Sequence, residues 1–385
     1  MEARCDVVVV GAGLLGLASA RALARRGREV IVLERAEIGH ETGGSKGSCR
    51  VFRLGYDDAG YVSLAMRARE PWAELEDECG RQLLQPTPQL TFGRGLEAVR
   101  QAMTSAGAPS ELLPATEAAA RFPQLAIGGP ALLEPESCVI SADAALRALA
   151  TAAGDVRAGV TVTGVADDGR RVTVRTATGS ITAGSAVVCA GPWTSRLLAG
   201  TGVAVPAAAT MEQVGYLATA AAPGPAMPIF ICYGDCFAEL APRAVVEGGS
   251  PPQDLGRPPV PYGLPVPGSP LYKIGLHHGG PPADPRGQDQ RPDQELCAQL
   301  AGLARRYLPG LGPEMVGTER CIYDNSPDED FIVDRVGRIV IGSGTSGHGF
   351  KFGPLLGEWL ADLATGRGAG PPARFSLGRF SAVPA

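Results

Sequence analysis

Residues 6–10 form a short apolar run with β-branched side chains, and Gly11-Ala12-Gly13-Leu14-Leu15-Gly16 follows directly. Leu17, Ala18, Ala20, Leu23 and Ala24 then recur at helical spacing, and a second apolar run, residues 29–33, ends at Glu34. This is the G-x-G-x-x-G order of strand, glycine turn, helix and strand, with an acidic residue closing the second strand. Glycines let the backbone approach a pyrophosphate at the helix N-terminus, where unpaired N–H groups and the helix dipole favour an anion. Glu34 is placed to accept hydrogen bonds from ribose hydroxyls. A dinucleotide-binding unit is expected at residues 6–34. The unit leaves NAD and FAD both open.

At 385 residues the chain has room for two to three domains of roughly 150 residues each. Its net charge of −5 argues against nucleic acid as a partner, because phosphate binding needs a basic surface. The apolar stretch at residues 7–10 is too short to span a bilayer, and no secretory leader pattern precedes it. A cytoplasmic protein without a membrane partner is expected. Nine scattered cysteines, an odd number, are expected to be reduced thiols. Cys232 and Cys236 have no second Cys or His pair at a metal-ligand spacing, so no metal site is expected.

Of the 35 basic residues, only Lys46, Lys273 and Lys351 are lysines. Coding bias accounts for the arginine excess. A lysine that survives such a bias marks a place where a compact ammonium serves and a planar guanidinium does not.

Gly43-Gly44-Ser45-Lys46-Gly47-Ser48-Cys49-Arg50-Val51-Phe52-Arg53 is a small-residue segment that reads as running into a helix. Arg50 and Arg53 would then share one helix face and repel unless an anion lies between them; two solvated arginines fit the same spacing. Further on, helical patterns cover residues 64–75, 105–120 and 140–152. Strand patterns cover residues 90–93, 160–165, 172–175 and 185–190, the last closing on Gly191-Pro192-Trp193. Pro and Gly cluster over residues 248–270, and residues 240–260 look like an inserted irregular loop, either a lid or surface decoration.

Tyr272-Lys273-Ile274-Gly275-Leu276-His277-His278 reads as a strand. Period two puts Lys273, Gly275 and His277 on one face and Ile274 and Leu276 on the other, towards a core. A plain edge strand with solvated Lys and His fits the same pattern. Near the C-terminus, Val340, Ile341 and Gly342 form a strand, then come Gly344-Thr345-Ser346-Gly347-His348-Gly349-Phe350-Lys351-Phe352 and an apolar helix over residues 355–363. Small residues before a helix again suit an anion. A lysine between two phenylalanines is costly unless an anion meets it.

Taken in order, these motifs resemble the monomeric sarcosine oxidase family, which includes N-methyltryptophan oxidase and pipecolate oxidase. That family sits within the flavin-dependent amine oxidases that resemble D-amino-acid oxidase. The resemblance covers essentially the full length and is carried by the R-x-x-R segment, the K-x-G-x-H strand, the glycine loop and Cys321-Ile322-Tyr323-Asp324-Asn325-Ser326-Pro327-Asp328-Glu329-Asp330-Phe331-Ile332. It implies an α/β fold: a Rossmann-type FAD-binding domain with an interleaved substrate domain built on an antiparallel sheet. Residues 1–85, 145–205 and 315–375 would form the FAD domain, residues 86–144 and 206–314 the substrate domain, and residues 376–385 a tail.

The resemblance also implies roles. Lys273 is the oxygen-activating lysine, and Cys321 forms a thioether to the flavin 8-methyl carbon. Arg53 and Lys351 hold a substrate carboxylate, Tyr262 and Tyr323 line the cavity, and His277 with Tyr262 tunes the protonation of the amine. Arg50 and Lys46 lie beside the opposite flavin face. Gly11, Gly13, Gly16, Glu34, Ser45, Val162, Gly191, Trp193, Ser346, Gly347, His348 and Gly349 contact the cofactor. Three positions depart from the sarcosine oxidases: Cys49 stands where they carry Thr, Lys46 where they carry His, and Thr345 where Phe is typical.

The expected activity is oxidation of a secondary α-amino acid, N-methylated or cyclic (sarcosine, pipecolate or proline), to an imine with release of H2O2. The alternatives are a flavin dehydrogenase with another acceptor and a non-catalytic flavin-binding protein. The expected partners are the amino acid and O2, and the expected state is a monomer, with a homodimer as the alternative.

Overall fold

The computed structural model describes residues 2–219, 227–234 and 259–380. Val7, Val8, Val9 and Val10 are all buried, so the first strand is apolar on both faces, as a strand covered on both sides must be. Glu2–Val10 pairs in parallel with Val30–Leu33 on one edge and with Gly179–Val188 on the other. Asp155–Arg157 extends the sheet beyond Val30–Leu33, again in parallel. On its far edge Gly179–Val188 is shared, by Val172–Thr176 over its first half and by Ile339–Ser343 over its second. Val162–Asp167 and Ile332–Val336 complete eight strands.

The helix Leu14–Arg25 lies on this sheet and packs against Gly353–Thr365, and both contacts need missing side chains. A Cβ on Gly16 would stand 1.8 Å from the Gly11 carbonyl oxygen, and one on Gly357 would meet Ala18 at 2.6 Å. Gly16 is therefore a packing glycine that brings helix onto strand.

A second eight-stranded sheet runs in the order Met315–Asn325, Ala208–Ala218, Leu271–His277, Val260–Pro265, Ile229–Tyr233, Gln89–Gly93, Ala131–Glu134 and Glu111–Leu113. Its pairings are antiparallel except for Ile229–Tyr233 on Gln89–Gly93. One face buries Tyr272, Ile274 and Phe230 against Leu300, Leu303 and Tyr307 of the helix Gln294–Tyr307. The other face looks towards the first sheet. The fold is thus the expected Rossmann-type α/β domain combined with a largely antiparallel substrate sheet.

Several elements differ from the sequence reading. Cys49–Phe52 is a strand, not the start of a helix, because it pairs with Cys138–Ser141 in a small third sheet that also takes in Leu84–Pro86. A partner ninety residues away supplies its backbone hydrogen bonds, which local pattern cannot report. Met315–Asn325, assigned to the nucleotide domain by the division at 315, is paired along its whole length with Ala208–Ala218 of the second sheet. The alanine-rich stretch 105–120 is the end of helix Leu96–Ala106, strand Glu111–Leu113 and short helix Ala115–Arg121.

Within the Pro/Gly-rich 248–270 segment, Val260–Pro265 is a strand of the second sheet; residues 240–258 lie outside the described residues. Among the described residues seven cysteines are free, but Cys232 is disulfide-bonded, a departure from the default expectation of reduced thiols. The start of the expected tail is docked: the Leu377 N–H donates to Asp334 at 2.7 Å and Arg379 pairs with Asp328 at 2.8 Å. Among the described residues no helix is long and apolar enough to cross a membrane.

Candidate active site

The two large sheets enclose one long cavity of about 640 Å³, within the ~300–1,000 Å³ range of cofactor and ligand sites. Its first end is the glycine turn. Helix Leu14–Arg25 has no side-chain cap at Gly13 and no acidic residue in its first turn, so its positive end faces the cavity without a carboxylate of its own. Gly11 has φ +99°, and a Cβ there would lie 2.4 Å from the Cys189 carbonyl oxygen. Ser45 accepts a hydrogen bond from the Leu14 N–H at 3.0 Å.

Glu34 accepts from the N–H groups of Ala12 at 2.8 Å and Ala36 at 3.2 Å. Burial alone would raise its pKa, but His40 and these N–H groups hold it below the usual carboxylate value. Val162, Gly191 and Trp193 line the same stretch, with the Arg35 guanidinium 3.8 Å above the Trp193 ring. An uncapped helix end, an ionised carboxylate fixed for ribose hydroxyls and an indole platform suit an FAD dinucleotide.

Two residues assigned to cofactor contact are not in the cavity wall. Gly16 serves the helix–strand packing described above. Ser346 is buried behind the glycine loop: its N–H donates to the Asp324 carbonyl at 2.8 Å and its hydroxyl accepts from the Ser326 N–H at 3.2 Å. Its neighbours Thr345, Gly347, His348, Gly349, Phe350 and Lys351 do line the cavity. Lys46 also lines it, but its charge is met by Glu41 at 2.6 Å.

Gly347, at φ +71°, has a packing reason too: a Cβ there would come within 2.0 Å of the Tyr323 ring. Gly347→Ala is expected to destabilise the protein by about 1–3 kcal/mol and to displace Tyr323. A melting temperature and turnover equal to wild type would refute this reading.

At the other end, Leu271–His277 alternates as expected, with Lys273 and His277 on the cavity and Ile274 in the core. Leu276 differs, since it also reaches the cavity wall. A Cβ on Gly275 would stand 2.5 Å from the Tyr262 hydroxyl, so this glycine makes room for Tyr262 from the next strand. Lys273 is 3% exposed, and its ammonium donates to the Cys49 carbonyl at 3.3 Å with no carboxylate against it among the described residues. His277 lies 3.4 Å from the Tyr323 hydroxyl, and burial together with nearby cationic groups pushes its pKa well below the ordinary value, leaving it neutral. Burial raises the pKa of Tyr262 and Tyr323. Arg50 is held against the Cys49 and Lys46 carbonyls and over the Phe350 ring, with Cys321 close by.

Arg53 and Lys351 converge on Tyr56. The Arg53 guanidinium stacks 4.0 Å above its ring, and Lys351 donates to its hydroxyl at 2.8 Å and to the His348 carbonyl at 2.9 Å. Among the described residues, Nη1 of Arg53 is buried without a hydrogen-bond partner. Burial and the Arg53 charge drive the Lys351 pKa well below the ordinary lysine value. A carboxylate between the two groups would satisfy both.

Sequence reading missed the parts that hold this pair. Glu134, fully buried, accepts from the Leu54 and Gly55 N–H groups at 3.2 and 2.8 Å and so fixes the turn that carries Arg53. Tyr56, Tyr233, Glu212 and Asp324 also went unassigned, although the last three line the cavity. Tyr56 has a faint signal, three residues beyond Arg53, and Asp324 lies within the segment that begins at Cys321; the others have none. Among the described residues, no three His, Cys, Asp or Glu side chains are grouped to hold a metal ion.

A sheet with a parallel centre and a glycine turn, opening into a cavity lined by buried basic side chains, is the arrangement of a dinucleotide-binding enzyme. The family model described as FAD dependent oxidoreductase matches residues 6–363. The chain is 35% identical to the peroxisomal sarcosine oxidase of Mus musculus, over 98% of this chain and 97% of that protein. It is 32% identical to the monomeric sarcosine oxidase of Bacillus sp. (strain NS-129), over 95% and 94% of the two. The solved structure of NikD, an unusual amino acid oxidase, is similar at a TM-score of 0.83 and 27% identity, covering 97% of both chains. The chain belongs to the family of FAD-dependent oxidoreductases.

Proposed function

We propose that this FAD-dependent amino-acid oxidase acts on a small secondary α-amino acid, N-methylated or cyclic, giving an imine and H2O2. The observation that carries the substrate class is the pairing of Arg53, whose buried Nη1 has no hydrogen-bond partner among the described residues, and Lys351, both against Tyr56. Bound FAD supplies the two-electron acceptor and returns the electrons to O2.

The residues that would hold it are Gly11, Gly13, Glu34, Ser45, Val162, Gly191 and Trp193 along the dinucleotide, with Arg50, Cys321 and the 347–351 loop at the ring system. Arg53 binds the substrate carboxylate as a planar fork, and Lys351 adds a point charge. His277, neutral, and Tyr262 keep the substrate nitrogen unprotonated; neither is needed to remove a carbon-bound proton. Lys273 places a buried cation where negative charge develops on oxygen. Cys321, buried at the cavity wall beside Arg50, is the thiol proposed to tether the cofactor through a thioether. The proposed working form is a monomer, in keeping with the similarity to the monomeric sarcosine oxidase of Bacillus sp. (strain NS-129).

A peroxide-coupled screen of sarcosine, other N-methyl amino acids, proline and pipecolate tests the activity. One equivalent of H2O2 per substrate consumed is expected; reduction of an artificial acceptor without peroxide under air would replace oxidase by dehydrogenase. For the tether, denatured wild-type protein should stay yellow and Cys321→Ala should lose its flavin to the supernatant. Colour retained by Cys321→Ala would exclude this thiol.

A further inference from the structure

Met315–Asn325 and Ala208–Ala218 are antiparallel neighbours in a register that sets Glu212 directly across from Cys321. Such cross-strand partners point to the same face with Cβ atoms ~5 Å apart. Both residues line the cavity, and Glu212 is 2% exposed. A carboxylate buried beside a thiol is costly to keep without a task or a full set of donors. The Thr210 hydroxyl donates to one Glu212 oxygen at 2.6 Å and the Gly280 N–H to the other at 2.7 Å, with the Gly279 N–H as a third donor to the carboxylate. Of the roughly four acceptor sites of a carboxylate, one is left for a thiol proton.

The other acids near Cys321 are placed differently. Asp324 lies on the alternate face of the strand and is tied to the Ser343 hydroxyl and the Gly344 N–H. Glu319 shares the face of Cys321 but sits outside the cavity wall, towards Gly47.

We propose that Glu212 is the base that takes the Cys321 thiol proton when FAD becomes linked, an inference that rests on the tether proposed above. In that step the S–H bond and one C–H bond of the flavin 8-methyl break and one S–C bond forms. Two electrons enter the ring system, and O2 accepts them together with the two released protons as H2O2. The thiolate is the nucleophile, and a buried thiol needs an acceptor to reach it near neutral pH. Burial pushes the Glu212 carboxyl up to about 7, against the Thr210 and Gly280 hydrogen bonds, which suits proton exchange there.

Other groups set the local charge. They are Arg50 and Cys49 from the small sheet, Tyr323 and Arg320 on the strand of Cys321, Lys273 and His277 on Leu271–His277, and Tyr262 beyond them. Arg50 favours the thiolate once it forms, but carries no acceptor for its proton.

The test mixes full-length apoprotein from riboflavin-starved cells with FAD and follows acid-stable flavin over time between pH 6 and 9. Glu212→Gln is expected to bind FAD as wild type does, judged by the visible spectrum, but to link it at least tenfold more slowly at pH 7. The deficit should shrink as pH rises and hydroxide takes over as proton acceptor, whereas a loss of local structure would slow linkage equally at every pH. Glu212→Asp should recover part of the rate, and Glu319→Gln should link at the wild-type rate. Normal linkage by Glu212→Gln at pH 7, a deficit independent of pH, or a deficit that follows Glu319→Gln overturns the role of Glu212. Wild-type protein that releases all its flavin on denaturation overturns the tether itself, and this inference with it.

Discussion

Replacing Lys273 by Met is expected to slow the reaction of the reduced enzyme with O2 by about a thousandfold, while anaerobic reduction by substrate changes less than about tenfold. The asymmetry follows from where charge appears. Oxygen accepts its first electron in a slow step that creates a negative charge, and a fixed cation lowers the energy of that step alone. At ~4 Å and an effective dielectric of ~20 the interaction is worth about 4 kcal/mol, or about three powers of ten in rate. Lys273 can deliver much of this because its charge is not already neutralised. It is buried, its hydrogen bond goes to a neutral carbonyl, and the Tyr216 ring lies 5.9 Å from its ammonium. Met keeps the volume and packing of the side chain and removes only the charge. Stopped-flow measurement of the two half-reactions decides it. Equal slowing of both would assign Lys273 to substrate or flavin positioning.

The parts of the molecule that could be read from sequence are those whose physics is local. The 6–34 unit carries its own turn chemistry, and the structure gives two of its glycines a cause: backbone approach at Gly11, helix packing at Gly16. Lys273 and His277 emerge from period-two alternation in a strand that is one. The convergence of Arg53 and Lys351 is different. Their side chains meet at Tyr56 only because Glu134, about eighty residues from Arg53, pins the turn after Cys49–Phe52. No spacing rule reports that. The same gap explains why local pattern suggests a helix start at Cys49–Phe52 and why a domain division at 315 separates Met315–Asn325 from its pairing strand: in both cases the deciding hydrogen bonds come from a strand far away in the chain. Glu212 was missed for a third reason. It sits in an apolar strand as a single acid, and only register reveals Cys321 opposite.

The second large effect concerns Arg53. Arg53→Ala is expected to lower kcat/KM for carboxylate substrates by about a thousandfold, since truncating one member of a buried charge pair costs about 3–5 kcal/mol. The loss should appear chiefly in KM, because the carboxylate is bound in ground state and transition state alike. The substitution also changes Lys351. In the free enzyme, burial and the Arg53 charge both hold the Lys351 pKa well below the ordinary value. A bound carboxylate raises it, so binding takes up a proton wherever the pH lies above the free-enzyme pKa and below that of the complex.

Across that window, affinity for a simple carboxylate such as acetate must fall as pH rises, by up to about tenfold per unit. Removing Arg53 lifts the Lys351 pKa, so the fall begins at higher pH in Arg53→Ala even though binding is weaker throughout. Flavin absorbance titrated with acetate at a series of pH values measures both quantities. A carboxylate affinity that is flat with pH in wild type would mean that Lys351 does not meet the anion. An unchanged KM in Arg53→Ala would remove the guanidinium from the clamp, and with it the reason for assigning an α-amino acid to this cavity.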